Sequence, residues 1–359
     1  MLYPSMETAI IGLPLAGKTT IFNALTGQQA HLSSATGGKK QLNLAEVEVP
    51  DGRVEELARL FQPKKKVHAT VLFKDAQSEF RPEGGFAPAT LVEVRTSEAI
   101  ALVLRAFRGE SVFPPSETMD PARDLGKVLD SLIFSDFEMA DKRMDRLDKE
   151  GKRSSREYQL LERLAKKLER GSLLGRDFLS PDEEKLLSGF RFLTVKPILV
   201  IADTEAALAA SQGELNRLEQ EVKKWGLELF TIQGDLEMEI AQLPEGEQRE
   251  FLEDLGLAEP AKNRFLRRLY KSLDLISFLT TSGDEVRAWS IPSGTPAVRA
   301  AGKIHTDLEK GFIRAEVIQW QELIEAEGYA GAKKQGKLRL EGRDYLVQDG
   351  DVVTVRFNI

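Results

Sequence analysis

Near its amino terminus the chain reads Thr8-Ala-Ile-Ile-Gly12-Leu-Pro-Leu-Ala-Gly17-Lys18-Thr19. A strand-sized apolar run stops at Gly12, and a helical pattern restarts behind Thr19, with Ile21, Phe22 and Leu25 on one face. The eight residues from Gly12 match G-x-x-x-x-G-K-[ST] in the strand–turn–helix setting that its chemistry needs. Glycines let the backbone turn tightly enough to aim successive N–H groups at phosphate oxygens, and the helix N-terminus adds partial positive charge. The expected phosphate-binding set is therefore Gly12, Leu13, Pro14, Leu15, Ala16, Gly17, Lys18 and Thr19, with Thr20 behind them. Lys18 is the cation for the β- and γ-phosphates, and the Thr19 hydroxyl is a Mg²⁺ ligand. A second carboxylate is expected at the end of a neighbouring strand. Asp75, directly after Val71-Leu-Phe-Lys74, stands in that position, so Thr19 and Asp75 are the candidate metal ligands.

Further strand-like runs are Val71-Leu-Phe73, Ala101-Leu-Val-Leu104, Pro197-Ile-Leu-Val-Ile-Ala202 and Leu229-Phe-Thr-Ile232. Short apolar runs separated by helix-length segments predict βαβ units and a parallel sheet. Between the second and third of these runs the texture is helical. Ile133, Phe137, Ala140, Met144 and Leu147 form a heptad seam, and Tyr158, Leu161, Ala165 and Leu168 repeat it. The polar break Lys149-Glu-Gly-Lys-Arg-Ser-Ser155 between them predicts an antiparallel helical hairpin. Residues 141–170 hold eleven Lys or Arg against seven Asp or Glu. A solvated coiled-coil face is the simpler reading of that charge. Lys149, Lys152, Arg153 and Arg156 at the turn are nonetheless the candidates for contact with an RNA backbone.

Strand patterning returns in Val286-Arg-Ala-Trp-Ser-Ile291 and in Val353-Thr-Val-Arg-Phe-Asn-Ile359, which places four apolar side chains on one face. Asp349-Gly-Asp351 supplies the preceding turn. The expected division is 1–117, the first part of an α/β domain; 118–190, an inserted helical hairpin; 191–275, the second part; and 276–359, a compact α+β module with its own small core.

Composition narrows the chemistry. A chain of 359 residues with 42% apolar and 30% charged side chains has the make-up of a globular protein of two or three domains. A net charge of −7 argues against a simple cationic nucleic-acid coat. Without cysteine there is no disulfide, thiolate nucleophile or zinc finger, and three scattered histidines (His31, His68, His305) do not make a metal site. No charged leader precedes a long apolar stretch and no 18-residue apolar run occurs, which leads to the expectation of a cytoplasmic, reducing setting without a membrane partner.

Ile11-Gly-Leu-Pro-Leu-Ala-Gly-Lys-Thr-Thr-Ile-Phe-Asn-Ala-Leu-Thr26 resembles the nucleotide loop of the YchF/Obg-like ATPase family of translation-factor GTPases. Phe251-Leu-Glu-Asp-Leu-Gly-Leu-Ala-Glu-Pro260 resembles its linker. Val286-Arg-Ala-Trp-Ser-Ile-Pro292 and Ala301-Gly-Lys-Ile-His-Thr-Asp-Leu-Glu-Lys-Gly-Phe-Ile-Arg-Ala-Glu316 resemble its C-terminal module. The resemblance spans essentially the whole chain. It implies a P-loop NTPase G domain, an inserted α-helical coiled-coil hairpin and a ubiquitin-like (β-grasp, TGS) α+β domain. Function would then be Mg²⁺-dependent binding of GTP or ATP and association with ribosomes or structured RNA.

The chain departs from the family where the chemistry lies. Gly37-Gly-Lys-Lys-Gln-Leu42 lacks the switch I threonine, and Thr36 is out of register. The D-x-x-G of switch II reads Asp75-Ala-Gln-Ser78, followed by Glu79, which is either a water-orienting group or a surface acid. The base-reading N-x-x-E reads Asp203-Thr-Glu-Ala206, and an ionised Asp offers a purine only acceptors where Asn offers both donor and acceptor. Gln233-Gly234 remains available to wall a base pocket. Lys18 and Glu79 are thus the only catalytic candidates, and the expectation is Mg²⁺-nucleotide binding with weak base selectivity and slow hydrolysis. The alternative is a ribosome- or RNA-binding scaffold that no longer turns nucleotide over. Guanine against adenine stays open.

Overall fold

The computed structural model describes residues 6–28, 43–76, 78–81, 84–107, 119–205, 212–282 and 284–358. Thr36, residues 37–42, His31 and Ala206 lie outside them. The chain opens with β1 (Met6–Ile11), α1 (Lys18–Thr26), β2 (Asn43–Glu48), α2 (Gly52–Phe61), β3 (Lys65–Val67), β4 (Thr70–Asp75), α3 (Pro88–Thr96) and β5 (Ala99–Ala106). A helical stretch follows, with α4 (Pro121–Lys149), α5 (Arg156–Glu169) and α6 (Pro181–Leu187). Next come β6 (Ile198–Thr204), α7 (Gln212–Lys224), β7 (Glu228–Ile232), α8 (Gly234–Gln242), α9 (Glu245–Asp254) and α10 (Ala261–Ser272). The last elements are β8 (Leu275–Thr281), β9 (Glu285–Pro292), α11 (Ala297–Ile304), α12 (Thr306–Lys310), β10 (Phe312–Gln319), α13 (Trp320–Glu325), α14 (Tyr329–Lys334), β11 (Arg339–Glu341) and β12 (Asp351–Phe357). Among the described residues no helix is long and apolar enough to cross a membrane.

The chain divides into two compact units. One is built mainly from Glu7–Ala45 and Leu72–Lys262, the other from Glu46–Val71 and Asn263–Ile359. The first holds most of a six-stranded sheet of order β2-β4-β1-β5-β6-β7, in which β1, β5, β6 and β7 pair in parallel. All seven residues of β6 are buried, as a strand covered on both faces must be. On one face Ile100, Leu102 and Leu104 of β5 and Val200 of β6 pack with Leu125, Val128, Leu129 and Leu132 of α4 and Leu218 of α7.

The amino-terminal half of α4 belongs to that core, and its carboxyl-terminal half packs with α5. Ile133, Ala140 and Leu147 are buried in one cluster with Leu161, Leu164 and Leu168, and Phe137 and Met144 line its edge. Asp120 caps α4 by accepting from the Arg123 N–H at 3.0 Å, with Pro121 in the first turn. Ser155 caps α5 through the Tyr158 N–H at 3.2 Å, so the polar break seen in the sequence is the turn between the helices. A buried ionic knot fastens α4 to its surroundings. Asp136, fully buried, accepts from Arg95 of α3 at 2.7 Å and from the Thr194 N–H and hydroxyl at 2.7 and 2.8 Å.

The second unit has its own six-stranded sheet, β11-β10-β12-β8-β9-β3. Its first and last long strands, β8 and β12, lie side by side in parallel, and their other neighbours β9 and β10 pair with them antiparallel. The outermost strand, β3, comes from residues more than two hundred positions earlier and pairs in parallel with β9. Val54 and Leu57 of α2 join Leu279, Val286 and Ile318 in one apolar layer, while Phe278, Ala300, Val317 and Val353 form the layer on the opposite face. Two of the expectations above are corrected here. Segment 276–359 does not complete its core alone, because Val54 and Leu57 of α2 contribute to it, and β3 adds a strand to its sheet. Nor does β12 present one buried face: Val352 and Val353 are both buried, and Phe357 is 46% exposed.

Candidate functional site

The residues singled out from the sequence meet at the carboxyl ends of β1, β4, β6 and β7, where open α/β sheets place their ligand crevices. Gly12 follows β1, Asp75 ends β4, Asp203 is the penultimate residue of β6, and Gln233 and Gly234 follow β7. The loop from Gly12 folds through Leu15 at φ 63° and Gly17 at φ 90°, two left-handed residues in three positions. Gly17 is the N-cap of α1, so no side chain caps this helix, and its first turn carries no acid. Helix N–H groups that lack a side-chain acceptor are the donors an anion takes.

Glycine is required at both ends of the loop. A Cβ on Gly12 would collide with the Val103 carbonyl of β5, and one on Gly17 would collide with Asp203 Oδ2. Pro14 and Leu15 are exposed, Ala16 is buried, and Leu13, Thr19 and Thr20 are half-buried. Lys18 folds back over the loop, donating to the Leu13 carbonyl at 2.8 Å and the Gly12 carbonyl at 3.2 Å. Burial brings its ammonium down from 10.5 to about 8, against the opposing charge of Asp75. The group is still mostly protonated at neutral pH, and it gains from any anion that approaches.

Thr19 Oγ1 donates to Asp75 Oδ2 at 3.4 Å, and Asn43 Nδ2 donates to the same oxygen at 3.3 Å. Asp75 is 4% exposed, and burial raises its carboxyl above the usual range, opposed by Asn43, Lys18 and Thr19. Two hard oxygen donors suit adjacent corners of a Mg²⁺ octahedron, whose 2.0–2.1 Å bonds set cis ligands about 2.9 Å apart. Donor type therefore fits the metal, and the 3.4 Å separation would have to close by about 0.5 Å for both oxygens to bind it directly.

Asp203 sits beneath the loop. Its Oδ1 accepts the Gly234 N–H at 2.9 Å, and its Oδ2 occupies the space where a Gly17 side chain would stand. The carboxyl is 4% exposed and raised from 3.8 to about 7, by burial first, then by Asp235, with the Gly234 bond opposing. Because its folded value exceeds the unfolded one, the folded state holds the extra proton between about pH 4 and 7. Stability from this group therefore falls as pH rises through that window and is flat above it. Asp203→Asn keeps an acceptor for Gly234 and removes the titration. Urea unfolding from pH 5 to 8 should show the variant gaining on the parent by up to about 1.4 kcal/mol per pH unit below pH 7. A constant difference would contradict this.

The remaining candidates are more dispersed. Gln233 is half-buried as N-cap of α8, Gly234 is buried, and the Glu79 side chain is exposed while its N–H donates to Thr90 Oγ1 at 3.3 Å. Lys149, Lys152, Arg153 and Arg156 are all exposed at the α4–α5 turn. Lys152 pairs with Glu150 at 2.8 Å, and Arg153 stacks over the Tyr158 ring at 5.8 Å.

Two features escaped the sequence reading. Asn43 as a partner of Asp75 carries no sequence signal. Helix α10 does carry one, since residues 260–273 hold five Lys or Arg and no acid. Arg264, Arg267, Arg268 and Lys271 recur at helical spacing on its exposed face, opposite buried Phe265, Leu266 and Leu269.

Fold and site together define an α/β protein with a G-x-x-x-x-G-K-T loop at the carboxyl edge of a parallel sheet. Residues 275–358 match the family model YchF-GTPase_C, described as a protein of unknown function (DUF933). The "Ribosome-binding ATPase YchF" of Pasteurella multocida (strain Pm70) is 36% identical over 360 residues, covering 98% of this chain and 99% of that protein. The protein of the same name from Bacillus subtilis (strain 168) is 34% identical over 365 residues, covering 99% and 100%. The solved structure of the Schizosaccharomyces pombe YchF GTPase superposes with a TM-score of 0.84 at 27% identity, covering 98% of both chains. The chain belongs to the YchF family.

Proposed function

We propose that this chain is a Mg²⁺-dependent purine-nucleotide-binding protein and a slow NTPase that associates with ribosomes. The observation that carries the nucleotide half is the uncapped N-terminus of α1, with Lys18 folded over its loop and Thr19 beside Asp75. In this reading the unit around β1, β5, β6 and β7 is a P-loop G domain, α4 and α5 form a coiled-coil arm, and the β8-to-β12 module is a β-grasp, TGS-type domain. The parallel pairing of β8 with β12 supports the last assignment.

Polyphosphate binding draws Lys18 Nζ from the Gly12 and Leu13 carbonyls onto phosphate oxygens, and the loop N–H groups receive the rest of the negative charge. Thr19 and Asp75 hold the metal, which when bound neutralises charge on the phosphates. Asp203 positions the loop from below, and Gln233 and Gly234 border the base. Such a site favours phosphates over bases, in keeping with relatives named as ATPase and as GTPase. Glu79 lies exposed with its backbone fixed, so water is oriented poorly and turnover is slow.

The ribosome half rests on the names of the bacterial relatives and on exposed basic surface. In this reading the protein works in the cytoplasm, where ribosomes of the bacterial relatives reside. Co-sedimentation with purified ribosomes, combined with phosphate release, tests this reading. Reversing the charge of Lys149, Lys152, Arg153 and Arg156 should weaken co-sedimentation and flatten the slope of log affinity against log salt by about 3–4, with nucleotide affinity unchanged. Should ribosome binding survive that change and fall on reversing Arg264, Arg267, Arg268 and Lys271, the RNA-facing charge lies on α10. Ribosome association without phosphate release would favour the scaffold.

A further inference from the structure

Ser78 stands where the family's switch II has glycine, and its hydroxyl is committed to the phosphate loop. The residue is 8% exposed, and Oγ donates to the Gly12 carbonyl at 2.9 Å across 66 positions of sequence. The same carbonyl accepts Lys18 Nζ at 3.2 Å, so both of its lone pairs are used. On the opposite side Gly12 packs so closely on the Val103 carbonyl that no side chain fits. The start of the loop is thus held between β5 and Ser78. Residues after Ser78 are fastened in turn, Glu79 N–H to Thr90 Oγ1 at 3.3 Å and Arg81 N–H to the Gly85 carbonyl at 2.9 Å.

We propose that the Ser78 hydroxyl is a positioning tether that holds the segment after β4 on the phosphate loop whether or not a terminal phosphate is bound. The inference rests on the nucleotide-binding reading above and specifies how that site responds to its ligand. When Lys18 turns to phosphate it deserts the Gly12 carbonyl, which is buried and would otherwise lose its donor. Ser78 keeps that acceptor satisfied, so the loop does not reorganise as the cation moves. A ligand shifts a conformational equilibrium only by its differential affinity for the two states. With the segment already docked, the terminal phosphate has little left to move. Triphosphate and diphosphate should therefore bind this protein with affinities within about threefold of each other.

Amide hydrogen exchange of residues 78–81 in the full chain tests the tether directly. It is measured nucleotide-free, with Mg²⁺–ADP, and with Mg²⁺ and a non-hydrolysable ATP analogue, saturation being checked by calorimetry. In the parent protein, exchange in the three states should agree within twofold. Ser78→Ala, which keeps the shape and deletes one hydrogen bond, should raise nucleotide-free exchange roughly tenfold. The triphosphate analogue should slow it again and ADP should not. Ser78→Gly should behave like Ser78→Ala, and Ser78→Thr, which retains a hydroxyl, should behave like the parent. A merely structural role would not produce this nucleotide dependence or the threonine rescue. Parent exchange that follows the terminal phosphate, or Ser78→Ala exchange equal to the parent's, would overturn the tether. If no nucleotide binds the parent at all, the function proposed above fails, and the nucleotide-free comparison still decides the tether.

Discussion

Lys18→Ala should weaken Mg²⁺-nucleotide binding by on the order of a hundredfold or more while leaving the fold at least as stable. In the proposed complex the ammonium is the one cation of the loop that reaches the phosphates, and charge-assisted hydrogen bonds of this kind contribute about 1.5–3 kcal/mol each. Losing two of them corresponds to at least two decades of affinity at about 1.4 kcal/mol per decade. In the nucleotide-free protein the same group is a burden, since burial has lowered its pKa to about 8. Its removal costs only two hydrogen bonds to carbonyls, so the melting temperature should hold or rise. Fluorescent-nucleotide titration together with thermal unfolding separates the two effects. Unchanged nucleotide affinity would mean that Lys18 does not face phosphate, and a collapse in melting temperature would mean that its role is structural.

The largest effect on stability is expected far from that loop. Asp136→Ala should destabilise the protein by about 3–5 kcal/mol, because it strands the Arg95 guanidinium in a site where its counter-charge has been removed. The Thr194 N–H and hydroxyl lose their acceptor as well. Urea unfolding followed by circular dichroism measures the change. Replacing both partners with apolar residues, Arg95→Met with Asp136→Leu, should recover only the share due to the stranded charge, because the buried Thr194 N–H and hydroxyl remain without their acceptor. A single variant within about 1 kcal/mol of the parent, the size of an ordinary substitution, would show that the knot contributes little.

What the sequence disclosed is what local pattern encodes. The loop from Gly12 to Thr19 is contiguous, and its strand–turn–helix setting was legible because the apolar run, the glycines and the helical face adjoin. The strands β4, β5, β6 and β7 announced themselves as short apolar runs, and the α4–α5 turn as a polar break between two heptad seams. What escaped depends on partners distant in the chain. Lys65-Lys-Val67 is too short and too polar to show strand periodicity, and its partner Glu285-Val-Arg287 lies over two hundred residues away. Val353-Thr-Val-Arg-Phe357 reads as simple alternation, and the burial of both Val352 and Val353 follows only once helices cover both faces of their strand.

The departures from the family were visible as letters but not as geometry. Asp203 looked like an altered base reader, and in the fold its carboxyl lies under Gly17 and on the Gly234 N–H. Ser78 looked like a lost glycine, and its hydroxyl proves to be bonded to the loop it follows in space. Neither contact can be derived from spacing, because each joins residues brought together only when the parallel sheet is assembled.

The proposed activity requires the loop at Gly12–Thr19 to receive a metal-bound polyphosphate. Isothermal titration of the full chain with ATP, GTP, ADP and GDP, in the presence of Mg²⁺, addresses that claim without intermediaries. Saturable heat with at least one of the four, abolished by Lys18→Ala and weakened when Mg²⁺ is withdrawn, is the predicted result. No heat and no thermal shift with any of them at millimolar concentration would contradict it.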